Sequence, residues 1–312
     1  MCEAGKCASA CGCSQPPAES GILNVDKPAG MTSHDVVNIV RKIAGTRRVG
    51  HAGTLDPLAT GVLLVCIGKA TRISEYLMNS RKTYRAEVLF GAATTTYDAE
   101  GEVTDAFPTE GLGAATLAGA LASFVGTVPQ QVPPYSAVKQ DGQPLYRRAR
   151  RGEEVETPVR QVEIYRAELI AWEPPVATVE VACGPGTYIR ALAYDWGRAV
   201  NNGAHLKSLR RLTSGSFTVE NAVSLDTLRQ AAADGFWERY LMPMDEGLLH
   251  LEAVVVGAKD AEALLHGQSI ECRPGEDGEL ARAYTLSGDF LALIRYNTRT
   301  GRWAPHKVLA GE

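Results

Sequence analysis

The loop GHAGTLDPLATG (Gly50–Gly61) carries one carboxylate, Asp56, set between glycines, a proline and apolar residues. Such a loop is stiff enough to aim a side chain. Two readings are open at this point. An Asp-Pro turn commonly bonds its own backbone; otherwise the carboxylate is a reactant. A lone acid narrows the chemistry, because hydrolytic glycosidases generally need two. It can still attack a sugar carbon or an electron-poor ring as a nucleophile. For that it must be ionised. Burial among aromatic rings would push its pKa up, and a neighbouring cation would oppose the shift. Arg190, just after Tyr188 in GPGTYIRAL, is a candidate for that cation; its other reading is a solvated residue at a helix start.

Other chemistries find less support. The loop departs from the phosphate-binding G-x-x-x-x-G-K-[ST] pattern, since Lys69 lies eight residues past Gly61 and beyond the next strand. The six histidines (His34, His51, His205, His250, His266, His306) form no i,i+4 pair and no H-E-x-x-H, so no metal ligands are expected. Neither a G-x-S-x-G elbow nor a G-x-G-x-x-G after a strand occurs.

Basic residues gather in three places: Arg41, Lys42, Arg47 and Arg48; Arg147, Arg148, Arg150 and Arg151; Lys207, Arg210 and Arg211. The net charge of −4 argues against a general polyanion binder. Each cluster could be a solvated face. Three in an acidic chain point to a restricted surface that meets phosphates. Tyr84, Tyr135, Tyr146 and Tyr188 lie in or near these segments. Rings beside basic residues suit unstacked bases; ordinary core packing is the competing reading.

Several elements must position these groups. GILNVDK from Gly21 alternates as a strand. Ser33 can cap a helix ending at Gly45, with Val36, Val40 and Ile43 on one face. Strand VLLVCIG and a short helix around Ile73–Met78 follow. KTYRAEVLFG alternates, with Tyr84, Ala86, Val88 and Phe90 sharing a side. A helix over 114–125 carries the stripe Leu117, Leu121 and Phe124. After it come a Pro-rich loop, a hairpin at Asp141-Gly142, a short basic helix and the strand VATVEVACG. Thr187 can cap a helix from Ile189 to Val200, buried through Ile189, Leu192, Ala193 and Trp196. Met242–Leu248 reads as a linker. LEAVVV, SIECRP, ARAYTL, FLALIRY and APHKVL then read as a small β-barrel. The whole predicts an α+β fold with a mixed, largely antiparallel sheet, since strict βαβ alternation is absent.

The chain has 312 residues, 45% hydrophobic and 22% charged, enough for a large domain and a small one. The domain boundaries expected are a cysteine-rich tail over 1–20, a catalytic unit over 21–248 and a second module over 249–312. Four of seven cysteines (Cys2, Cys7, Cys11, Cys13) crowd the tail, and Cys66, Cys183 and Cys272 lie in apolar segments. That is the usage of a reducing cytoplasm. The C-x3-C-x-C spacing could hold a soft metal ion, but plain tail is the favoured reading. The longest apolar run, Val62–Ile67, is too short to cross a bilayer, and no secretory signal is expected.

The motifs KPAGMTSHDVV, GHAGTLDPLATGVLLVCIGKATR, KTYRAEVLFG, TTTYDAEGEV, QVPPYSAVKQDG, GTYIRALAYDWG and LRRLTSGSF, in that order, resemble those of bacterial tRNA pseudouridine-55 synthases. The likeness runs over about residues 21 to 247. Residues 250–310 resemble that family's C-terminal RNA-binding barrel, related to PUA modules.

The resemblance implies an isomerase that detaches uracil from C1′ of one T-arm uridine in tRNA, turns the ring and rejoins it through C5. It implies no cofactor, no metal, no obligatory protein partner, no membrane and a cytoplasmic monomer. Asp56 matches the catalytic aspartate. His51 resembles the residue that fills the space left by the flipped base, and Tyr84 the ring that stacks on it. Tyr188 resembles the tyrosine assisting proton removal at C5, Arg190 the partner of the carboxylate, and Leu209 an apolar wall. Lys27 resembles a structural lysine. QVPPYSA looks one residue shorter than the family's Q-x-P-P-x-[YF]-S-A. An RNA-binding protein that folds tRNA, and a guide-RNA-dependent relative, are the competing functions.

Overall fold

The computed structural model describes residues 20–136, 138–140, 142–145, 148, 151 and 156–311. The cysteine-rich tail up to residue 19, Asp141, Tyr146, Arg147 and Arg150 lie outside the described residues.

Strand β1 (Gly21–Lys27) leads to helix α1 (Ser33–Ala44). Thr32, rather than Ser33, caps α1. Its hydroxyl accepts from the Asp35 amide at 3.1 Å, and Asp35 accepts from the Thr32 amide at 2.9 Å. This reciprocal pair satisfies two amides that a helix start leaves open. It also leaves Ser33 free to turn inward. Gly45, at φ 61°, stops the helix in the left-handed region. Short β2 (Val49–His51) and long β3 (Thr60–Ile67) flank the Asp56 loop. A 3-10 turn over Gly68–Ile73 runs into α2 (Ser74–Met78), then β4 (Lys82–Phe90).

Strands β5 (Ala92–Thr94) and β6 (Val103–Ala106) pair as a hairpin, and α3 (Ala114–Ala122) precedes β7 (Gly126–Gln131). Strands β8 (Lys139–Gln140) and β9 (Gln143–Pro144) pair across the expected turn at Gly142. Next come β10 (Val159–Glu173), β11 (Val176–Cys183), α4 (Ile189–Ala199) and β12 (Ala204–Ser214). Short β13 (Phe217–Thr218), β14 (Val223–Ser224) and α5 (Leu225–Ala233) finish this part.

The main sheet has the order β14-β1-β3-β12-β4-β11-β10-β7, with β2 on β3 and β13 on β12. It is mixed. β1–β14 and β3–β12 are parallel, and the other pairs are antiparallel. The predicted α+β class with a mixed sheet is what forms.

The uninterrupted apolar run of β3 has a reason in packing. Leu63, Val65 and Ile67 face a core with Val36, Val37 and Val40 of α1. Val62, Leu64 and Cys66 face a second core with Leu77, Leu248, Leu293 and Leu309. A strand covered on both faces needs no polar side. In β4 only one face is covered, so Tyr84, Ala86, Val88 and Phe90 are buried while Arg85 is exposed.

The expected linker is a packed element. Met242 pairs with Ile22, and a 3-10 turn over Met244–Leu248 buries Leu248 completely. Beyond it β15 (Glu252–Val255), α6 (Ala258–Leu265), β16 (Leu280–Tyr284), β17 (Phe290–Asn297) and β18 (Arg302–Val308) form one module. Its strands make an open sheet, β15-β16-β17-β18, and no closed barrel is found among the described residues. SIECRP contributes only a bridge from Ile270 to Trp303, which is why the expected fifth strand does not extend the sheet. Among the described residues no helix is long and apolar enough to cross a membrane.

Candidate active site

The loop between β2 and β3 is fixed before Asp56 does anything. Ser33 Oγ donates to Leu55 O at 3.1 Å and accepts from the Leu55 amide at 2.8 Å. Gly30 N donates to Pro57 O at 2.8 Å. Lys27 is fully buried and its Nζ donates to the carbonyls of Met31, Pro28 and Pro57 at 2.6, 2.8 and 3.3 Å. Thus KPAGMTS is a clamp on the aspartate loop. Burial lowers the Lys27 pKa to about 8, with Asp56 opposing that shift. On the other side Arg211 is buried, its Nε 2.6 Å from Val62 O and its Nη2 3.1 Å from Gly53 O. Gly61 has φ +96°, and a Cβ there would lie 2.2 Å from Arg211 O, so only glycine fits.

From this frame Asp56 points at Arg190. Arg190 Nε lies 2.9 Å from Asp56 Oδ2, and Nη2 donates to Oδ1 at 3.3 Å. The simple turn reading of Asp56 is therefore replaced by an ion pair. Arg190 is 5% exposed, so the solvated helix-start reading falls too. It enters the site because it is the second residue of α4, whose start is anchored through Tyr188. Gln130 does the anchoring: its Oε1 accepts from Tyr188 N at 2.8 Å and its Nε2 donates to Tyr188 O at 3.1 Å. The predicted cap, Thr187, instead donates to Gly184 O at 3.1 Å.

Arg190 also holds a second acid that sequence reasoning did not single out. Its Nη1 is 3.4 Å from Asp98 Oδ2 and donates to Thr96 O at 3.2 Å, while Nη2 donates to Tyr135 O at 3.0 Å. Asp98 is buried and accepts from Thr96 Oγ1 at 2.5 Å and the Glu100 amide at 3.1 Å. Its only trace in the sequence was its place inside TTTYDAEGEV. Burial raises the Asp56 pKa; the Arg190 guanidinium opposes this and the Asp98 charge adds to it. The result is a half-buried carboxylate that is paired yet open to the cleft, which suits a nucleophile.

Asp56, Tyr84, Tyr188, Arg190 and Leu209 share one cleft of about 360 Å³. Tyr84 comes from β4, Leu209 from β12, and Tyr188 stands just before α4. Burial pushes both phenols above their ordinary pKa. His51 is outside this cleft. It lines a larger cavity of about 800 Å³ on the other side of Asp56 and Arg190, beside Tyr135, Asp98 and Glu100. Burial, then the Arg211 charge, lower its pKa.

The family form Q-x-P-P-x-[YF]-S-A keeps its length when the glutamine is Gln130. Gln130 stands six residues before Ser136, with Val132 in place of the first proline. Counted from Gln130, whose side chain reaches Tyr188, the segment has that length; counted from Gln131 it is one residue shorter.

In the third basic cluster one cation is buried and two are partly exposed beside acids. Arg211 is buried, Lys207 lies 3.4 Å from Glu87 and Arg210 2.8 Å from Asp26. Arg41 turns inward to Val49 O at 3.0 Å, while Lys42, Arg47 and Arg48 are exposed. Among the described residues no group of acids, histidines or cysteines is placed to hold a metal ion.

Comparison with known proteins agrees with this architecture. A chain from an H/ACA RNP bound to a substrate RNA containing 2′-deoxyuridine superposes with a TM-score of 0.71 at 25% identity, over 93% of this chain and 85% of that one. A chain from a Cbf5–Nop10–Gar1 complex gives a TM-score of 0.71 at 26% identity, with the same coverage. The fold is thus also that of a chain in an RNA-bound assembly. Residues 41–189 match the N-terminal domain of TruB family pseudouridylate synthases, and 190–249 match the tRNA pseudouridylate synthase B C-terminal domain. A tRNA pseudouridine synthase B of Pseudomonas aeruginosa (strain UCBPP-PA14) is 42% identical over 93% of this chain and 96% of that protein. One from Dehalococcoides mccartyi (strain CBDB1) is 42% identical over 92% and 96%. The chain belongs to the TruB family of pseudouridylate synthases, which are isomerases.

Proposed function

We propose that the protein converts a uridine of tRNA, position 55 in the T-arm, to pseudouridine, with Asp56 as nucleophile. The observation that carries this reading is the Asp56–Arg190 ion pair, 2.9 Å apart, opening on a cleft walled by Tyr84 and Tyr188. The curated relatives named tRNA pseudouridine synthase B support the substrate class.

The target uridine leaves its stack to reach the cleft, at a cost of a few kcal/mol of unstacking. Tyr84 stacks on the extruded base and Leu209 bounds it. Asp56 takes part in breaking the bond from C1′ to N1, at C1′ directly or by a glycal route. The freed uracil turns and bonds through C5. Loss of the C5 proton, with Tyr188 as the acceptor, restores the ring. The product is an isomer of the substrate, so the balance needs no oxidant, energy source or metal. His51, in the neighbouring cavity, fills the gap left in the RNA. In this reading the module over 249–312 is a PUA-like RNA contact attached to a catalytic unit over 21–248. The protein works in the cytoplasm as a monomer, without an obligatory protein partner.

The test is a base-resolution pseudouridine assay with purified protein and bare tRNA transcript. The wild type should modify one T-arm uridine, and Asp56→Asn should lose product formation while still binding tRNA. Undiminished activity of Asp56→Asn would remove the nucleophile assignment. Modification only with added guide RNA or proteins would instead favour the guide-dependent reading. tRNA refolding without any modification by the wild type would favour the folding role.

A further inference from the structure

The segment from Gln130 to Ser136 touches both groups that flank the reacting base. Gln130 holds the Tyr188 backbone at both its amide and carbonyl, and the Tyr135 carbonyl accepts from Arg190. Ser136 ends this segment. It is 4% exposed, and its Oγ is sealed from solvent without a partner of good hydrogen-bond geometry. A buried hydroxyl left without a bond costs free energy unless some state of the site uses it. Ser136 lies where the two cavities meet and lines both, sharing the smaller one with Tyr188.

We propose that Ser136 is the positioning residue for Tyr188. Its hydroxyl donates to the phenolic oxygen when uridine fills the cleft, and holds that oxygen for the C5 proton. This rests on the reading of Tyr188 as the acceptor of that proton. The step balances as follows. Tyr188 enters as phenolate; the C5–H bond breaks and its proton goes to the phenolic oxygen. The electron pair of that bond forms the C5–C6 double bond, the C6–N1 double bond gives its pair to N1, and N1 takes up a proton from solvent, so the ring's proton count is unchanged. Ser136 keeps its own proton throughout.

The electrostatic surroundings fit a donor with this task. Burial pushes the Tyr188 phenol up, which starves the site of phenolate. The Ser136 hydroxyl, near that phenol though not aligned for a bond in this state, draws it back most. Arg160 and Arg190 help, and Asp56 opposes them. Without Ser136 the two guanidinium groups would work against both the burial and the Asp56 charge.

The experiment is single-turnover pseudouridine formation on tRNA transcript carrying protium or deuterium at uridine C5, followed from pH 6 to 9. Ser136→Ala should slow the reaction about 10- to 100-fold, the scale of one hydrogen bond to a charged group. tRNA binding should be unchanged. The C5 isotope effect should grow, and the rising limb of the pH profile should move to higher pH. Ser136→Thr should restore most of the rate. A slow Ser136→Ala with unchanged isotope effect and unchanged limb would mark Ser136 as merely structural and overturn the proposal, as would an unslowed variant. Tyr188→Phe separates the premise: if it forms pseudouridine at the wild-type rate, the proton acceptor is another group and the role for Ser136 falls with it.

Discussion

Buried cations hold the Asp56 loop from two sides, and the two sides hold it by different means. On the cleft side Arg190 meets two carboxylates, at 2.9 Å for Asp56 and 3.4 Å for Asp98. Lys27, and Arg211 at the wall of the cleft, instead meet backbone carbonyls, among them those of Pro57, Val62 and Gly53. A cation on a carbonyl fixes where the chain runs. A cation on a carboxylate also fixes what charge that group carries. The first arrangement builds a stiff loop, and the second makes one residue of it reactive.

The largest effect should come from Arg190→Leu. It leaves two acids near each other without their shared cation. Removing one partner of a buried ion pair costs about 3–5 kcal/mol, which denaturant unfolding would read. Loss of a preorganised charge should lower turnover by about 10²- to 10³-fold. The acid limb of the pH–rate profile should move to higher pH, because Arg190 is what opposes the burial of Asp56. An unchanged limb would mean that Arg190 only packs.

Asp98→Asn should come next, with a loss of about 10- to 100-fold in turnover and little change in KM. Its limb should move the other way, to lower pH, since the Asp98 charge pushes the Asp56 pKa up. Opposite shifts in the two variants would establish the electrostatic half of the comparison; shifts of the same sign would break it.

Arg211→Met tests the other half. It leaves two buried carbonyls without a donor, at a cost of about 1–3 kcal/mol each. Stability should fall by at least as much as turnover does on the same free-energy scale. A pH limb that stays put, beside a lowered unfolding midpoint, is the expected pattern.

These two halves were not equally visible in the sequence. Asp56 and its loop stood out because glycine, proline and one acid in an apolar setting have few uses. The covered strand β3 and the one-sided strand β4 also announced themselves, since residue alternation reports directly on which faces meet solvent. Asp98 did not, because nothing local marks an acid in TTTYDAEGEV as the distant partner of Arg190, ninety-two residues on. Arg211 reads as the end of a basic cluster until strand alternation puts it opposite Arg210, inside the protein. Gln130 and Gln131 cannot be told apart until one of them faces Tyr188. The helix α6 was lost among strands, since eight residues (AKDAEALL) give it barely two turns of pattern. For Asp98, Arg211 and Gln130 the deciding contact lies far along the chain.

The smallest effect concerns Lys27 and is a matter of sign. Burial depresses its pKa from 10.5 to about 8 in the fold. A group depressed in this way contributes stability that is fully present above its unfolded pKa and is lost as pH falls through the folded one. The wild type should therefore gain on Lys27→Met as pH rises from about 8 to 10.5, each measured by urea unfolding at matched ionic strength. The comparison must be made as a difference, because other groups also titrate in that range. A margin that shrinks over the window would mean that the three carbonyls and Asp56 outweigh burial. Lys27 would then hold the loop through its charge, as Arg190 does, and the two sides of Asp56 would work by one means after all.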